Sequence, residues 1–230
     1  MPPGIVMLPL KNNPVLTQYQ IEILKSFFHA SIGSQFFLTG GTALAAFYLG
    51  HRQSKDLDFF TLKPFDALEL TKIIEEIARE TNSQIRIKVK TKTYNEIYFE
   101  NKREKWLQRI DIVQDQPVAF GKRKKIDSMI IDSLENIAAG KILTIYSRFE
   151  AKDYLDLYFI FKETKLDFMN LFQRTKQKDL GLNEFYFANM IAEVKNLRYF
   201  PKTIKPFDKK QLQKFYLDLS RRLFLKIKPK

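Results

Sequence analysis

The sequence has no cysteine and only two histidines, His29 and His51. Disulfides, thiolate nucleophiles and zinc sites built on sulfur are therefore excluded, and so is a histidine-rich metal centre. A hard cation held by carboxylates stays open, because oxygen is the donor that magnesium prefers. Long apolar runs are missing too. The most apolar window, Gln35 to Gly50, is broken by Gly40 and Gly41 and falls short of the ~20 residues a membrane-spanning helix needs. Met1 to Pro14 lacks the basic start and apolar stretch of a signal peptide. The expectation is a cytoplasmic protein with no membrane partner.

What is present points to a folded chain. With 230 residues, 45% of them hydrophobic and 14% aromatic, it has length enough for a core and too much apolar material to stay disordered. Charge is lopsided. The net charge is +13, with 15 Lys/Arg against 13 Asp/Glu over residues 1–120 and 24 against 13 over residues 121–230. A basic second half is either a landing surface for polyanions such as RNA or a well-solvated helical surface.

Periodicity predicts a helix over about Thr17–Ala30, a short buried strand at Gln35–Leu38, a helix over Ala43–Leu49 and a strand at Asp56–Phe60. An amphipathic helix over Phe65–Thr81 and strands at Ile85–Thr91, Glu96–Glu100 and Trp106–Val113 follow. After the basic run Lys122–Lys125 the pattern changes. Asp132-Ser133-Leu134-Glu135 reads as a capping box with Asp132 as the cap. Helices are then expected at about Leu134–Tyr146, Ala151–Lys162, Phe168–Lys176, Asn183–Asn196 and Lys209–Leu225. The predicted class is α+β, with a mixed-sheet core over residues 1–127 and an all-helical C-terminal domain over residues 128–230.

Three features could carry chemistry. Gly40-Gly41-Thr42, between a strand and a helix, either lets backbone amides approach a phosphate or is simply a tight turn. Asp56 and Asp58 are two apart on a strand and so share a face. Paired carboxylates on a largely buried strand need positive compensation from basic side chains or cations. A solvated strand end is the alternative, since Asp56 stands at the strand start. Asp111 lies among Ile110, Ile112 and Val113, where a carboxylate has few structural uses. If the two strands are neighbours, the carboxylates converge and could hold two divalent ions about 3.5–4 Å apart, as phosphoryl-transfer sites do.

Phe37-Leu38-Thr39-Gly40-Gly41-Thr42-Ala43-Leu44, followed by His51-Arg52-Gln53-Ser54-Lys55-Asp56-Leu57-Asp58-Phe59-Phe60, resembles the signature of the AbiEii/AbiGii nucleotidyltransferase toxins. That family lies within the polymerase-beta-like nucleotidyltransferase superfamily, and its pattern, GGTAL and then RxSxDxDF, is complete here. Arg109-Ile110-Asp111-Ile112-Val113 matches the superfamily's third acidic position. Lys141 after Ile137-Ala138-Ala139-Gly140, then Arg148 and Lys152-Asp153-Tyr154-Leu155-Asp156-Leu157, match the family's helical motifs. The likeness covers about Gln35 to Ile160. Gly41-Thr42 stands where many superfamily members have Gly-Ser, and the threonine keeps the hydroxyl.

The resemblance implies a nucleotidyltransferase core with a helical domain, acting as the toxin of a type IV toxin–antitoxin or phage-defence pair with a cognate antitoxin. It implies transfer of a nucleotide from an NTP to an RNA acceptor, tRNA foremost. Asp56, Asp58 and Asp111 would hold two Mg²⁺ (or Mn²⁺) ions, and Asp111 could take the attacking hydroxyl's proton. Gly40, Gly41, Thr42, Ser54 and Arg148 become nucleotide-binding residues, Arg52 either touches phosphate as well or holds the region of Asp58 together, and Lys141 and Asp153 join the catalytic set. Other readings are transfer onto a protein hydroxyl (AMPylation), a catalytically inactive nucleotide- or RNA-binding module, and a nuclease using the same carboxylates. His51 reads as a loop residue without chemistry and Asp156 as half of a surface ion pair. Phe185-Tyr186-Phe187 reads as core rather than a base-stacking platform.

Overall fold

The computed structural model describes residues 7–101 and 106–227. The expectation drawn from Met1–Pro14 therefore rests in part on residues outside that range. Seven strands form one sheet: β1 (Phe37–Thr39), β2 (Leu57–Thr61), β3 (Gln84–Lys90), β4 (Tyr94–Asn101), β5 (Trp106–Gln114), β6 (Lys124–Ile126) and β7 (Met129–Ile131). Their order is β3-β4-β5-β2-β1-β7-β6. Pairs are antiparallel except β2 with β5 and β1 with β7, which run parallel.

The period of two decides which face does what. Leu57 and Phe59 of β2, with Ile110 and Ile112 of β5, point to one face and are fully or almost fully buried. Over that face lie α1 (Gln18–His29) and α3 (Ala67–Glu80), and the Phe59 ring stacks on Phe27 with centroids 3.9 Å apart. Truncating either ring to alanine in such a core costs about 3–5 kcal/mol. Thr17 and Gln20 close a capping box that starts α1, and Asp66 caps α3. The intervening residues Asp58, Phe60 and Asp111 take the opposite face.

Two expectations need correction here. The basic run at 122–125 leads into the β6–β7 hairpin, so the expected boundary between 127 and 128 falls inside its turn and the sheet continues to Ile131. Lysines suit an edge strand, which is why β6 read as a charge run. The cap of the next helix, α4 (Leu134–Ser147), is Ser133, whose hydroxyl accepts from the Asn136 amide at 3.0 Å. Asp132 instead lies buried, accepting from Thr39 Oγ1 at 2.8 Å and Asn136 Nδ2 at 2.7 Å, and so ties β1 to α4.

Beyond β7 the described residues form no further strand, only the isolated bridge between Arg52 and Thr203. After α4 come α5 (Ala151–Glu163), α6 (Phe168–Thr175), α7 (Glu184–Ala192) and α8 (Lys209–Phe224). Of the triplet Phe185-Tyr186-Phe187 in α7 only Phe187 is core; Phe185 and Tyr186 are 53% and 60% exposed, because successive helical positions face different ways. No helix of the described residues is long and apolar enough to cross a membrane.

Candidate active site

Asp58 on β2 lies in register with Asp111 on the parallel neighbour β5, and Asp56 immediately precedes β2. All three line one cavity of about 950 Å³ between the free face of the sheet and α4. Gly40, Gly41, Arg52, Ser54, Lys141 and Arg148 line it as well. Burial, then the charges of Asp111 and Asp56, push Asp58 up to about 7. The floor of the cavity thus holds more negative charge than its surroundings compensate.

The glycine pair is shaped by what stands against it. Here a short helix, α2 (Gly40–Ala43), begins three residues earlier than expected and passes into a π-helical segment, Leu44–Leu49. Gly40 has φ +69°, and a Cβ there would come within 2.0 Å of Asp58 Oδ2. At Gly41 a Cβ would lie 2.5 Å from Arg52 Nη2. Bare backbone is required at both positions. Thr42 lies behind the cavity rather than in it. Its buried hydroxyl donates to the Asp56 carbonyl at 2.5 Å and lies 2.8 Å from Ser54 Oγ, which fixes the loop that carries both residues.

Behind the wall runs a buried charge network that sequence reasoning saw only in part. Asp156 on α5 accepts from Arg52 Nε at 2.5 Å, Arg52 Nη2 at 2.8 Å and His51 Nε2 at 2.8 Å, and lies 2.6 Å from Lys141 Nζ. Burial alone would raise Asp156, but Arg52 and Lys141 outweigh it and hold the carboxyl well below the usual range. Asp153 takes Lys141 and Arg148 Nε, each at 2.8 Å. Asp153 and Asp156 are both fully buried, not members of surface pairs. His51 is a loop residue, likewise buried, with its pKa lowered by burial, and hydrogen-bonds to Asp156. The signal was in α5: Tyr154, Leu155, Leu157, Tyr158, Phe159 and Ile160 make that helix apolar all round, and such a helix is buried. Carboxylates on it must find partners.

A strap from the helical half completes the loop's support. The amide of Gln53 donates to the Lys202 carbonyl at 3.0 Å, and that of Ile204 donates to the His51 carbonyl at 2.8 Å. The segment before Asp56 is thereby held from both sides. Lys55, Lys152, Lys178 and Lys202 add cationic groups to the cavity wall.

An all-oxygen set of carboxylates suits a hard divalent cation, and the raised pKa of Asp58 marks charge that such a cation would neutralise. As the side chains stand, no group of three acidic or histidine residues among those described converges closely enough to hold an ion. Asp111 is engaged by Arg109 instead: its Oδ2 lies 2.9 Å from Arg109 Nη2 and its Oδ1 accepts from Arg109 Nε at 3.1 Å. The chemistry of the donor set fits the metal once Asp111 is released from Arg109.

The family model described as nucleotidyl transferase AbiEii toxin, type IV TA system, matches residues 22–215. The chain belongs to this family. The match takes in the glycine pair, the three carboxylates and the buried network, and ends within α8. An uncharacterized protein of Aquifex aeolicus (strain VF5) is 29% identical over 166 residues, covering 71% of this chain and 75% of that protein. A crystal structure of a provisional nucleotidyltransferase from Helicobacter pylori superposes with a TM-score of 0.62 at 20% identity, over 91% of this chain and 93% of that one. MenT4, a nucleotidyltransferase toxin of Mycobacterium tuberculosis H37Rv, superposes with a TM-score of 0.51 at 9% identity, over 91% and 85% of the two chains. These structural likenesses establish the α+β nucleotidyltransferase fold for this AbiEii protein.

Proposed function

We propose that this AbiEii-family chain transfers a nucleoside monophosphate from an NTP to an RNA acceptor, most plainly tRNA, using Mg²⁺ or Mn²⁺ held by Asp56, Asp58 and Asp111. The observation that carries the reading is the registered pair Asp58–Asp111, with Asp56 beside it, at the floor of a cavity walled by basic side chains. When bound, the ions would activate the attacking hydroxyl and neutralise the charge growing on the triphosphate. Gly40 and Gly41 leave backbone open to the phosphates, and Ser54 offers a hydroxyl beside them. Arg148 is 44% exposed and reaches the cavity while anchored on Asp153, so it can pair with phosphate oxygens.

Arg52 takes the second of its two readings, while Lys141 and Asp153 take a different part from the one their motif implies. Their charges are satisfied by Asp156 and by one another, so they position the loop at 51–56 and the start of α5 rather than meet substrate directly. Asp111, whose carboxyl is raised by burial, would accept the hydroxyl proton once Arg109 leaves its oxygens. The 24 Lys/Arg of residues 121–230 supply the landing surface for RNA, in a chain that would act as the toxin beside a cognate antitoxin.

Incubation with Mg²⁺, total tRNA and each α-labelled NTP, beside an Asp58→Ala variant, tests this. Label should enter tRNA with wild type and fall by at least about a hundredfold in the variant. Label in protein instead of RNA would overturn the acceptor and favour AMPylation. RNA bound equally by both proteins with no transfer would overturn the enzyme reading altogether.

A further inference from the structure

Arg109 sits two residues before Asp111 on β5, hence on the same face, and forks onto its carboxylate through Nη2 at 2.9 Å and Nε at 3.1 Å. A second seat lies alongside. Glu96 on β4 is directly across from Asp111 in the strand register, and its Oε1 is 3.6 Å from Arg109 Nε. The Tyr94 hydroxyl stands between the two seats: it accepts from Arg109 Nη2 at 3.3 Å and reaches Glu96 Oε2 at 3.3 Å and Asp111 Oδ1 at 3.4 Å. Glu96 is 5% exposed and already fixed by Tyr98 at 2.6 Å and Lys88 at 3.0 Å. A guanidinium and a divalent cation want the same oxygens of Asp111, and both cannot have them.

We propose that Arg109 is a displaceable counter-ion, capping Asp111 until a divalent cation arrives and then passing to Glu96, with Tyr94 bridging the two positions. This rests on the metal-site reading above and adds a positioning pair, Arg109 and Glu96, that acts through Asp111. The move is short, because Arg109 Nε already lies 3.6 Å from Glu96 Oε1 and the side chain is 36% exposed. It accounts for a registered pair, Asp58 and Asp111, that lies beside Asp56 without the three converging on one point. It also keeps the metal-free floor from carrying all of its negative charge unbalanced.

Mn²⁺ binding to the full chain, read as loss of the free-ion electron paramagnetic resonance signal, tests this without turnover. Arg109→Gln should bind Mn²⁺ roughly tenfold more tightly than wild type and Glu96→Gln roughly tenfold more weakly, the size of coupling found within one charged network. The double variant should bind within about twofold of Arg109→Gln alone, since without Arg109 there is no guanidinium for Glu96 to receive. Independent effects of the two substitutions would overturn the proposal, because Glu96 would then act only through its field. Weaker binding by Arg109→Gln would overturn it as well, showing that Arg109 holds Asp111 in a ligating pose. Should Arg109→Gln fail to fold by circular dichroism, Arg109→Lys keeps the charge while losing the fork, and should still tighten binding severalfold; unchanged or weaker binding counts against the proposal. Wild type that binds no Mn²⁺ would remove the metal reading and this inference together.

Discussion

Replacing Asp156 with asparagine keeps the shape of the side chain and removes its charge. That carboxylate accepts from Arg52 at 2.5 and 2.8 Å and from His51 at 2.8 Å, and it faces Lys141 at 2.6 Å. Arg52 and Lys141 are only 4% and 7% exposed, so neither can turn to water when the partner is lost. Removing one member of a buried pair costs about 3–5 kcal/mol, because an uncompensated charge stays behind. In a chain of this length each kcal/mol moves Tm by about 2–4 °C, so D156N should melt roughly 10 °C lower. Asp153→Asn is the internal comparison. One of the two cations on Asp153, Arg148, is 44% exposed and can rotate into solvent. D153N should therefore cost only about 1–2 kcal/mol. The pH dependence follows from the depressed pKa of Asp156. Its contribution is present above the unfolded value near 4 and is lost only as pH falls through the lower folded value. The gap between wild type and D156N should then stay flat from pH 5 to pH 8. Calorimetric scans of the three proteins at several pH values measure all of this. A D156N within about 1 kcal/mol of wild type, or one less damaging than D153N, would refute the assignment of Asp156 as the hub.

Asp58 predicts the opposite pH behaviour. Its folded pKa of about 7 exceeds the unfolded 3.8, so the native state binds the extra proton and loses stability as pH rises through that window. In chelator, Asp58→Asn should gain on wild type by about 2–3 kcal/mol between pH 5 and pH 8, at about 1.4 kcal/mol per unit, and urea melts showing a constant gap would contradict this. Two glycines should part company. Gly40→Ala places a Cβ 2.0 Å from Asp58 Oδ2 at φ +69° and should cost at least about 2 kcal/mol. Gly140→Ala, with nothing within 4 Å of its Cβ in the middle of α4, should raise stability by about 0.5–1 kcal/mol, and equal effects in thermal melts would reverse the argument. RNA binding through six or more phosphate contacts should weaken by about a thousandfold or more between 50 and 200 mM salt, and a salt-insensitive affinity would rule out the basic half as its seat.

Local chemistry was readable where residues close in sequence also act together. Gly40 and Gly41, and Asp56 and Asp58, each stood out by local pattern within one strand–helix–strand unit, and the pairing of β1 with β2 brings them together. Asp111 joined them through a parallel pairing between β2 and β5 that no local pattern encodes. Its apolar flanks marked it as unusual; the partner strand came from family likeness. Glu96 and Tyr94 were invisible for the same reason. They matter only because β4 lies against β5 in a register that puts Glu96 opposite Asp111, and a slip of one residue would send both to the other face. The mistaken reading of Asp156 is of another kind. An aspartate three residues from another on a helix reads as surface when the helix is taken as amphipathic, yet α5 is apolar on every side. Read by that pattern, Asp153 and Asp156 are buried charges whose partners must come from other elements, and Arg52, Lys141 and Arg148 are the cations the motif itself supplies. The loop at 51–56 is held by the same charges that the helical half needs in order to bury α5. This couples the site to the fold: a chain that loses the network loses the position of Asp56 along with its stability.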